Sequence, residues 1–589
     1  MKKQNKGYLY KNLRNCDFKV DEIPLKEYPR PNLKRNSYLC LNGKWDIEIN
    51  KDESLPKVYK NKVIVPYTIE TPLSGVNHLL NPDEIIYYHK IINVKEFIKY
   101  DHIFINFDGV DQICDIFINN KLVYSNDMPY IKFKVDVKKY IGNNSEFDLV
   151  VKVKDFTDSS FYSRGKQTLK PNFWFYTSNS GIYKSVWIEG TYNNYIEKII
   201  YKTDYDNKMV NLYIETESDA EGIVYIDNAK FNIKTNIINK IDLNNNFKPW
   251  NTDTPYLYDV KIEVGNDVVF SYFGMRKIET KKVNNQYGIY LNNKRIFLNG
   301  LLDQGYYYLG FLTPKSNDDY LKDIRNVKEL GYNCIRKHIK VESDLFYYYC
   351  DKEGILLIQD FPNGGYSYKL KNNFAPGISY KLFNRKSRLN YKGYGRKDKQ
   401  SRDHFEKESL EIFKNLYNFP SIICFTIFNE SWGEFDPDIF YKKFKLLDLN
   451  EHIFDTASGW IDTTCSDLFS CHAYYFISKV RKDPFNHRPY ILSETGGIGF
   501  KVKEHYDYPK FYGHKNVKNK NDFNKKYKNM YIKNIIPMMK NGLLNGVIYT
   551  QLNDCEIEGN GIYTFDREYL KLDIDVVKNI NKEINDLNK

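Results

Sequence analysis

Two glutamates follow apolar runs in a way that could support chemistry. In Ile422-Ile423-Cys424-Phe425-Thr426-Ile427-Phe428-Asn429-Glu430 the run ends in an amide and a carboxylate, and Pro489-Tyr490-Ile491-Leu492-Ser493-Glu494 ends in the same abrupt way. Near-continuous β-branched and aromatic runs without polar alternation predict short strands covered on both faces, as in a parallel sheet. The C-terminal rim of a parallel α/β barrel is where such a fold keeps its reacting groups. Two carboxylates on one rim can cleave a glycosidic bond, one as acid/base and the other as nucleophile. Either glutamate taken singly could equally cap a strand at the surface.

The elements that must position the pair follow from the pattern after Tyr287, where strands alternate with helices. Eight apolar runs predict strands at Ile296–Leu301, Asn333–Lys337, Ile355–Gln359, Ile422–Phe428, His452–Thr456, Leu468–His472, Tyr490–Ser493 and Val547–Leu552. Helices are expected at Asp318–Leu330 (with Asn317 as cap), Leu345–Glu353 and Phe405–Tyr417. Eight strands in about 300 residues is the size of a (β/α)8 TIM barrel. Upstream the rhythm is all-β. Ser37–Glu189 holds short alternating strands, among them a hairpin over Ile116–Val123 with Asn119-Asn120 at its turn. Gly190–Lys282 has the length of an immunoglobulin-like β-sandwich. The predicted organisation is a β-sandwich domain at 1–190, an immunoglobulin-like one at 191–282 and a barrel at 283–589.

Composition limits what the chain can be. With 589 residues, 42% of them hydrophobic and 28% charged, it is a globular chain of several domains. The net charge of +12 is spread through mixed-sign stretches, and the densest basic run, Lys515–Lys528, reads as a solvated loop. With no basic stripe and no nucleic-acid motif, nucleic acid is not an expected partner. No run reaches the roughly 18 apolar residues of a membrane span, and the basic start Met1-Lys2-Lys3 has no apolar stretch after it. The reading is therefore cytoplasmic, without a membrane partner. Nine scattered cysteines without a CxxC pair argue against a disulfide framework and a structural zinc.

Several stretches, in order, resemble glycoside hydrolase family 2, the group of β-galactosidases, β-glucuronidases and β-mannosidases. Leu41-Asn42-Gly43-Lys44-Trp45, Val65-Pro66-Tyr67 and Ser180-Gly181-Ile182-Tyr183 are similar to signatures of its N-terminal jelly roll. Trp250-Asn251-Thr252-Asp253-Thr254-Pro255 and Phe273-Gly274-Met275-Arg276 resemble its immunoglobulin-like domain, and Asn429-Glu430 and Glu494 its barrel motifs. The resemblance implies that Glu430 is the acid/base and Glu494 the nucleophile. It implies that Asn429 binds a sugar 2-hydroxyl, that Arg336 supports the ionised nucleophile, and that His472 and Tyr474 contact nucleophile or substrate. From the residues alone, Asp303, Gln304 and Asp360 at strand ends are candidate sugar contacts. Trp432 either stacks on a sugar or fills a loop core. No cofactor and no metal are expected; a glycoside or oligosaccharide is the expected partner, and a homo-oligomer is left open.

The sequence departs from the family around the expected sugar subsite. Where the family commonly has Arg-x-Ser-His-Tyr-Pro, this chain has Arg336-Lys337-His338-Ile339-Lys340-Val341. Gln359-Asp360 stands for Asp-Glu, Tyr549-Thr550-Gln551 lacks the eighth-strand Trp, and Gly559-Asn560-Gly561-Ile562-Tyr563 lacks the lysine of a uronate-gripping Asn-x-Lys. The resulting expectation is a retaining exo-β-glycosidase of β-galactosidase type on a neutral sugar. One alternative keeps the mechanism on a uronide such as a β-glucuronide, with Lys337 or Lys340 reaching the subsite. Another is a carbohydrate-binding protein without catalysis.

Overall fold

The computed structural model describes residues 4–8, 19–366, 391–459, 462–463, 465–475, 477, 483 and 487–587. The first domain packs a four-stranded sheet (Tyr38–Cys40, Val186–Thr191, His102–Phe107, Phe133–Asp136 in spatial order) on a six-stranded one. The latter runs Asn61–Val65, Gly43–Asn50, Ile85–Asn93, Glu146–Lys154, Ile113–Ile118 and Lys121–Asn126. Inward residues of both sheets, including Trp45, Ile47, Tyr88, Ile105, Phe107, Leu149 and Ile188, share one core. The hairpin turn falls on Asn119 and Asn120, with φ of 49° and 64°, which asparagine tolerates better than most residues. A second sandwich of three and four strands follows, from Lys198 to Phe273. Its Arg276 is buried and donates to the carbonyls of Pro420 (3.0 Å) and Ile422 (2.7 Å), docking this domain at the start of the fourth barrel strand.

Eight parallel strands follow: β1 (Leu298–Asp303), β2 (Cys334–Lys337), β3 (Leu356–Asp360), β4 (Ile422–Asn429), β5 (Ile453–Ser458), β6 (Phe469–Ala473), β7 (Tyr490–Gly496) and β8 (Gly546–Thr550). They lie in the order β5-β4-β3-β2-β1-β8-β7-β6. Among the described residues β5 and β6 share no backbone ladder. Side chains close that seam: Ser470 Oγ donates to Asp455 Oδ1 (2.8 Å), and Ser458 Oγ lies 3.2 Å from His472 Nε2. The barrel is nearly closed, and its interior is buried as such a core must be.

The expected strands are all present, with shifted ends. β1 begins at Leu298 rather than Ile296, because Lys294–Ile296 pairs antiparallel with Gln286–Leu291 in a hairpin before the barrel. β7 runs on to Gly496, so Glu494 lies inside the strand. The first barrel helix, Asn317–Glu329, is capped by Ser316 in a reciprocal capping box with Asp319, not by Asn317. The stretch from Lys515 to Lys528 is not a loop. Lys515–Val517 is a strand and Lys520–Met530 a helix, started by Asn519 accepting from the Asp522 amide and held down by buried Phe523, Tyr527 and Met530. Three apolar residues at i, i+4 and i+7 outweigh the basic composition.

The first domain lies against the C-terminal rim of the barrel. Ser163 forms an antiparallel bridge with Gly364, the amides of Arg164 and Gly165 donate to Asn363 O (3.0 and 3.1 Å), and the Thr177 amide donates to Glu556 (3.0 Å). Residues of the sandwich thereby reach the loops after β3 and β8. No helix among the described residues is long and apolar enough to cross a membrane.

Candidate active site

Glu430 and Glu494 meet at this rim. One carboxylate oxygen of each, together with a ring nitrogen of His472, lie within 4.8 Å of one another. Backbone irregularities aim both side chains. Glu430 and Ser431 have φ of 48° and 60°, a left-handed step costing about 1–3 kcal/mol per residue and typical of functional sites. The Glu430 amide donates to Ser458 O at 2.8 Å, which fixes the step. In β7 the pairing with β8 slips between Leu492 and Thr495, and the pairing of β6 with β7 slips at Cys471/His472. Such bulges re-aim a strand residue, and here they turn Glu494 toward the mouth.

Arg336, fully buried on β2, organises the site. Its Nε and Nη2 donate to the two oxygens of Asp360, both at 3.0 Å. Nη1 donates to Ser493 O (3.0 Å) and Glu494 Oε1 (3.2 Å), and Nη2 also to Asn429 Oδ1 (2.7 Å). The other oxygen of Glu494 accepts from Tyr474 at 2.5 Å. Burial pushes the Glu494 carboxyl up, but the charges of His472, His338 and Arg336 outweigh it and hold the group at about 2. His338 is itself pushed down to about 4 by burial, whereas the Arg336 guanidinium stays charged at any working pH. Glu430 keeps part of its side chain open to solvent and touches His472 Nδ1 at 2.8 Å. Gly459, after β5, leaves room for this contact. A Cβ there would stand 3.2 Å from both Glu430 Cγ and His472 Cε1.

The remaining sequence-derived residues divide into two groups. Asn429 spends its oxygen on Arg336, while its buried Nδ2 has no partner among the described residues and is a free donor at the mouth. Asp303, Gln304 and Asp360, expected at the sugar, are each bonded to protein groups. Asp303 holds the buried Lys337 ammonium and the Gly305 amide. Gln304 donates to Gln551 Oε1 at 2.7 Å, and Asp360 is committed to Arg336 and His338. Trp432 is buried and packs on Phe175 of the first domain at 5.3 Å between centroids. Lys337 and Lys340 do not reach the subsite; both pair with Glu342 inside the β2 loop, at 3.0 and 2.8 Å. A buried ammonium must be paired, and these found protein carboxylates.

Sequence reasoning missed Ser458, His514 and Lys166. His514 stacks on Tyr474 at 3.8 Å and is pushed down to about 4 by burial. It lies immediately before the basic stretch read as a loop. Lys166 comes from the first domain, where no spacing ties it to the barrel.

A barrel of this kind, with two glutamates converging beside a buried arginine at its C-terminal rim, falls in the class of (β/α)8 proteins built for glycoside chemistry. The chain belongs to glycosyl hydrolases family 2: it matches the family's sugar binding domain over residues 19–191, its central domain over 195–276 and its TIM barrel domain over 282–585. Among its relatives, a β-galactosidase of Thermoanaerobacterium thermosulfurigenes is 26% identical over 443 residues, 68% of this chain and 55% of the relative. A putative β-glucuronidase of Formosa agariphila is 25% identical, over 55% of this chain and 37% of the relative. The chain thus spans about half or less of the length of these two relatives. The fold is shared with a β-D-glucuronidase of Dictyoglomus thermophilum, with TM-score 0.72, 17% identity, 95% of this chain and 98% of that one covered. It is also shared with a β-galacturonidase of Eisenbergiella tayi, with TM-score 0.68, 16% identity and coverage of 95% and 99%.

Proposed function

We propose that the protein is a retaining exo-β-glycosidase that removes a terminal β-linked sugar by double displacement. The observation that carries this reading is that one carboxylate oxygen of Glu430 and one of Glu494 lie within 4.8 Å of each other. That spacing suits direct attack on the anomeric carbon and is too short for the intervening water of an inverting enzyme, whose carboxyl groups stand roughly 6.5–9.5 Å apart. Glu494, ionised and held by Arg336 and Tyr474, attacks the anomeric carbon while Glu430 gives its proton to the departing oxygen. In the second half Glu430 takes a proton from water, which displaces Glu494 from the sugar. The unpartnered Asn429 amide supports the reading as a donor to the 2-hydroxyl. The relatives named β-galactosidase and putative β-glucuronidase support the reaction class and divide on the sugar.

A panel of nitrophenyl β-glycosides (galactoside, glucuronide, galacturonide, mannoside, glucoside) tests the proposal. Hydrolysis of at least one by the wild type, and none by Glu494→Gln with an unchanged melting temperature, is the expected result. Turnover of wild-type rate in Glu494→Gln, or none by the wild type on any β-glycoside, would defeat it.

A further inference from the structure

With Lys337 and Lys340 spent on Glu342, an anionic sugar would need another cation, and the first domain offers one. The strand Gln167–Thr168 pairs in parallel with Tyr176–Thr177, and the Tyr176 amide donates to Lys166 O at 2.9 Å. Gly165 before it has φ +59°, and a Cβ there would stand 2.8 Å from Ile339 O in the β2 loop. Together with the Ser163–Gly364 bridge, this fixes the backbone of Lys166 against the loops after β2 and β3.

The Lys166 side chain is 7% exposed, and its Nζ makes no hydrogen bond or ion pair among the described residues. It stands 5.7 Å from the ring centroids of both Tyr176 and Trp432, two residues beyond Glu430. The carboxylates around it are already engaged. Glu558 accepts from Tyr176 and Asn560, and Glu494 from Tyr474 and Arg336. Its charge is nonetheless felt at the site, where it helps to lower both Glu494 and Glu558 against their burial. The ammonium is the accessible tip of an otherwise buried side chain, and its three donors have no protein acceptor among the described residues. A carboxylate arriving with the substrate would satisfy them through charge-assisted hydrogen bonds.

We propose that Lys166 is a specificity-determining residue contributed by the first domain, and that its ammonium binds the C6 carboxylate of a hexuronic acid in the site between Glu430 and Glu494. This rests on the glycosidase reading above and replaces the neutral sugar expected from sequence. Kinetics and binding separate the two. The wild type should favour a nitrophenyl β-hexuronide over the matching neutral hexoside. In Lys166→Met the uronide-to-hexoside ratio of kcat/KM should fall about 30-fold, the size of one charge-assisted hydrogen bond, and Lys166→Arg should recover part of it. Calorimetry of free hexuronate beside the parent hexose reads the same contact without turnover, so it holds even if no glycoside is cleaved. Tighter binding of hexuronate, lost in Lys166→Met, supports the proposal. A wild-type preference for the neutral sugar, or an equal loss on both sugars in a folded Lys166→Met, would overturn it and leave the glycosidase reading standing.

Discussion

Nδ1 of His472 lies 2.8 Å from Oε1 of Glu430, and the other nitrogen of the same ring stands 3.4 Å from Oε1 of Glu494. One imidazole at the end of β6 thus spans the two carboxylates and is itself held by Ser458. We predict that His472→Ala leaves Glu430 free to swing, and that kcat falls on the order of 100-fold, the usual cost of an ångström of misplacement. The loss should be smaller with dinitrophenyl than with phenyl glycosides, since the better leaving group needs little protonation. Equal losses on both would show that the ring does not serve Glu430.

Glu430→Ala should still be glycosylated at Glu494 by dinitrophenyl glycosides and then stall. Added azide should restore turnover by replacing the activated water, giving the β-glycosyl azide. Product analysis by NMR checks this; an α-azide would mean that the two glutamates have exchanged roles.

Arg336 makes a pH prediction. The fold holds Glu494 at about 2, below its ordinary 4.5, so its contribution to stability is complete above about 4.5 and is lost as pH falls through 2. The nucleophile therefore sets no acid limb in the working range. In Arg336→Met burial is opposed by less positive charge, and the acid limb of kcat/KM should move upward toward neutrality. The variant also leaves Asp360 short of its partner, so a stability loss of about 3–5 kcal/mol is expected by denaturant titration. An unmoved acid limb would contradict the role given to the guanidinium.

The strands and the two glutamates were legible in the sequence because buried parallel strands announce themselves as unbroken apolar runs, and Asn429-Glu430 ends one of them. Strand ends were less legible. A bulge such as that at Ser493-Glu494 changes no composition, and the Lys294–Ile296 hairpin continues the apolar pattern into β1. Asp303, Asp360, Lys337 and Lys340 show why residue type at a strand end is not enough. Which charge faces the ligand and which faces another charge depends on pairings between β1, β2 and β3. Lys166 was invisible for a different reason: its partner surface, around Ile339, Gly364 and Trp432, is far along the chain and is assembled only when two domains dock.

The Asp303–Lys337–Glu342 cluster supports the rim from beneath. Lys337→Met should leave the buried Asp303 without its ammonium partner and Glu342 with Lys340 alone, destabilising the protein by about 3–5 kcal/mol, while the preference among sugars stays as in the wild type. Thermal melts and the glycoside panel check both halves. A changed sugar preference with an unchanged melting temperature would place Lys337 at the substrate after all.

The stereochemistry of the first product tests the double-displacement mechanism most directly. Proton NMR of a glycoside digest, recorded before mutarotation, distinguishes the anomers. With the Glu430 and Glu494 oxygens within 4.8 Å, two successive inversions at the anomeric carbon should release the β-anomer first. Initial appearance of the α-anomer would contradict the covalent route through Glu494.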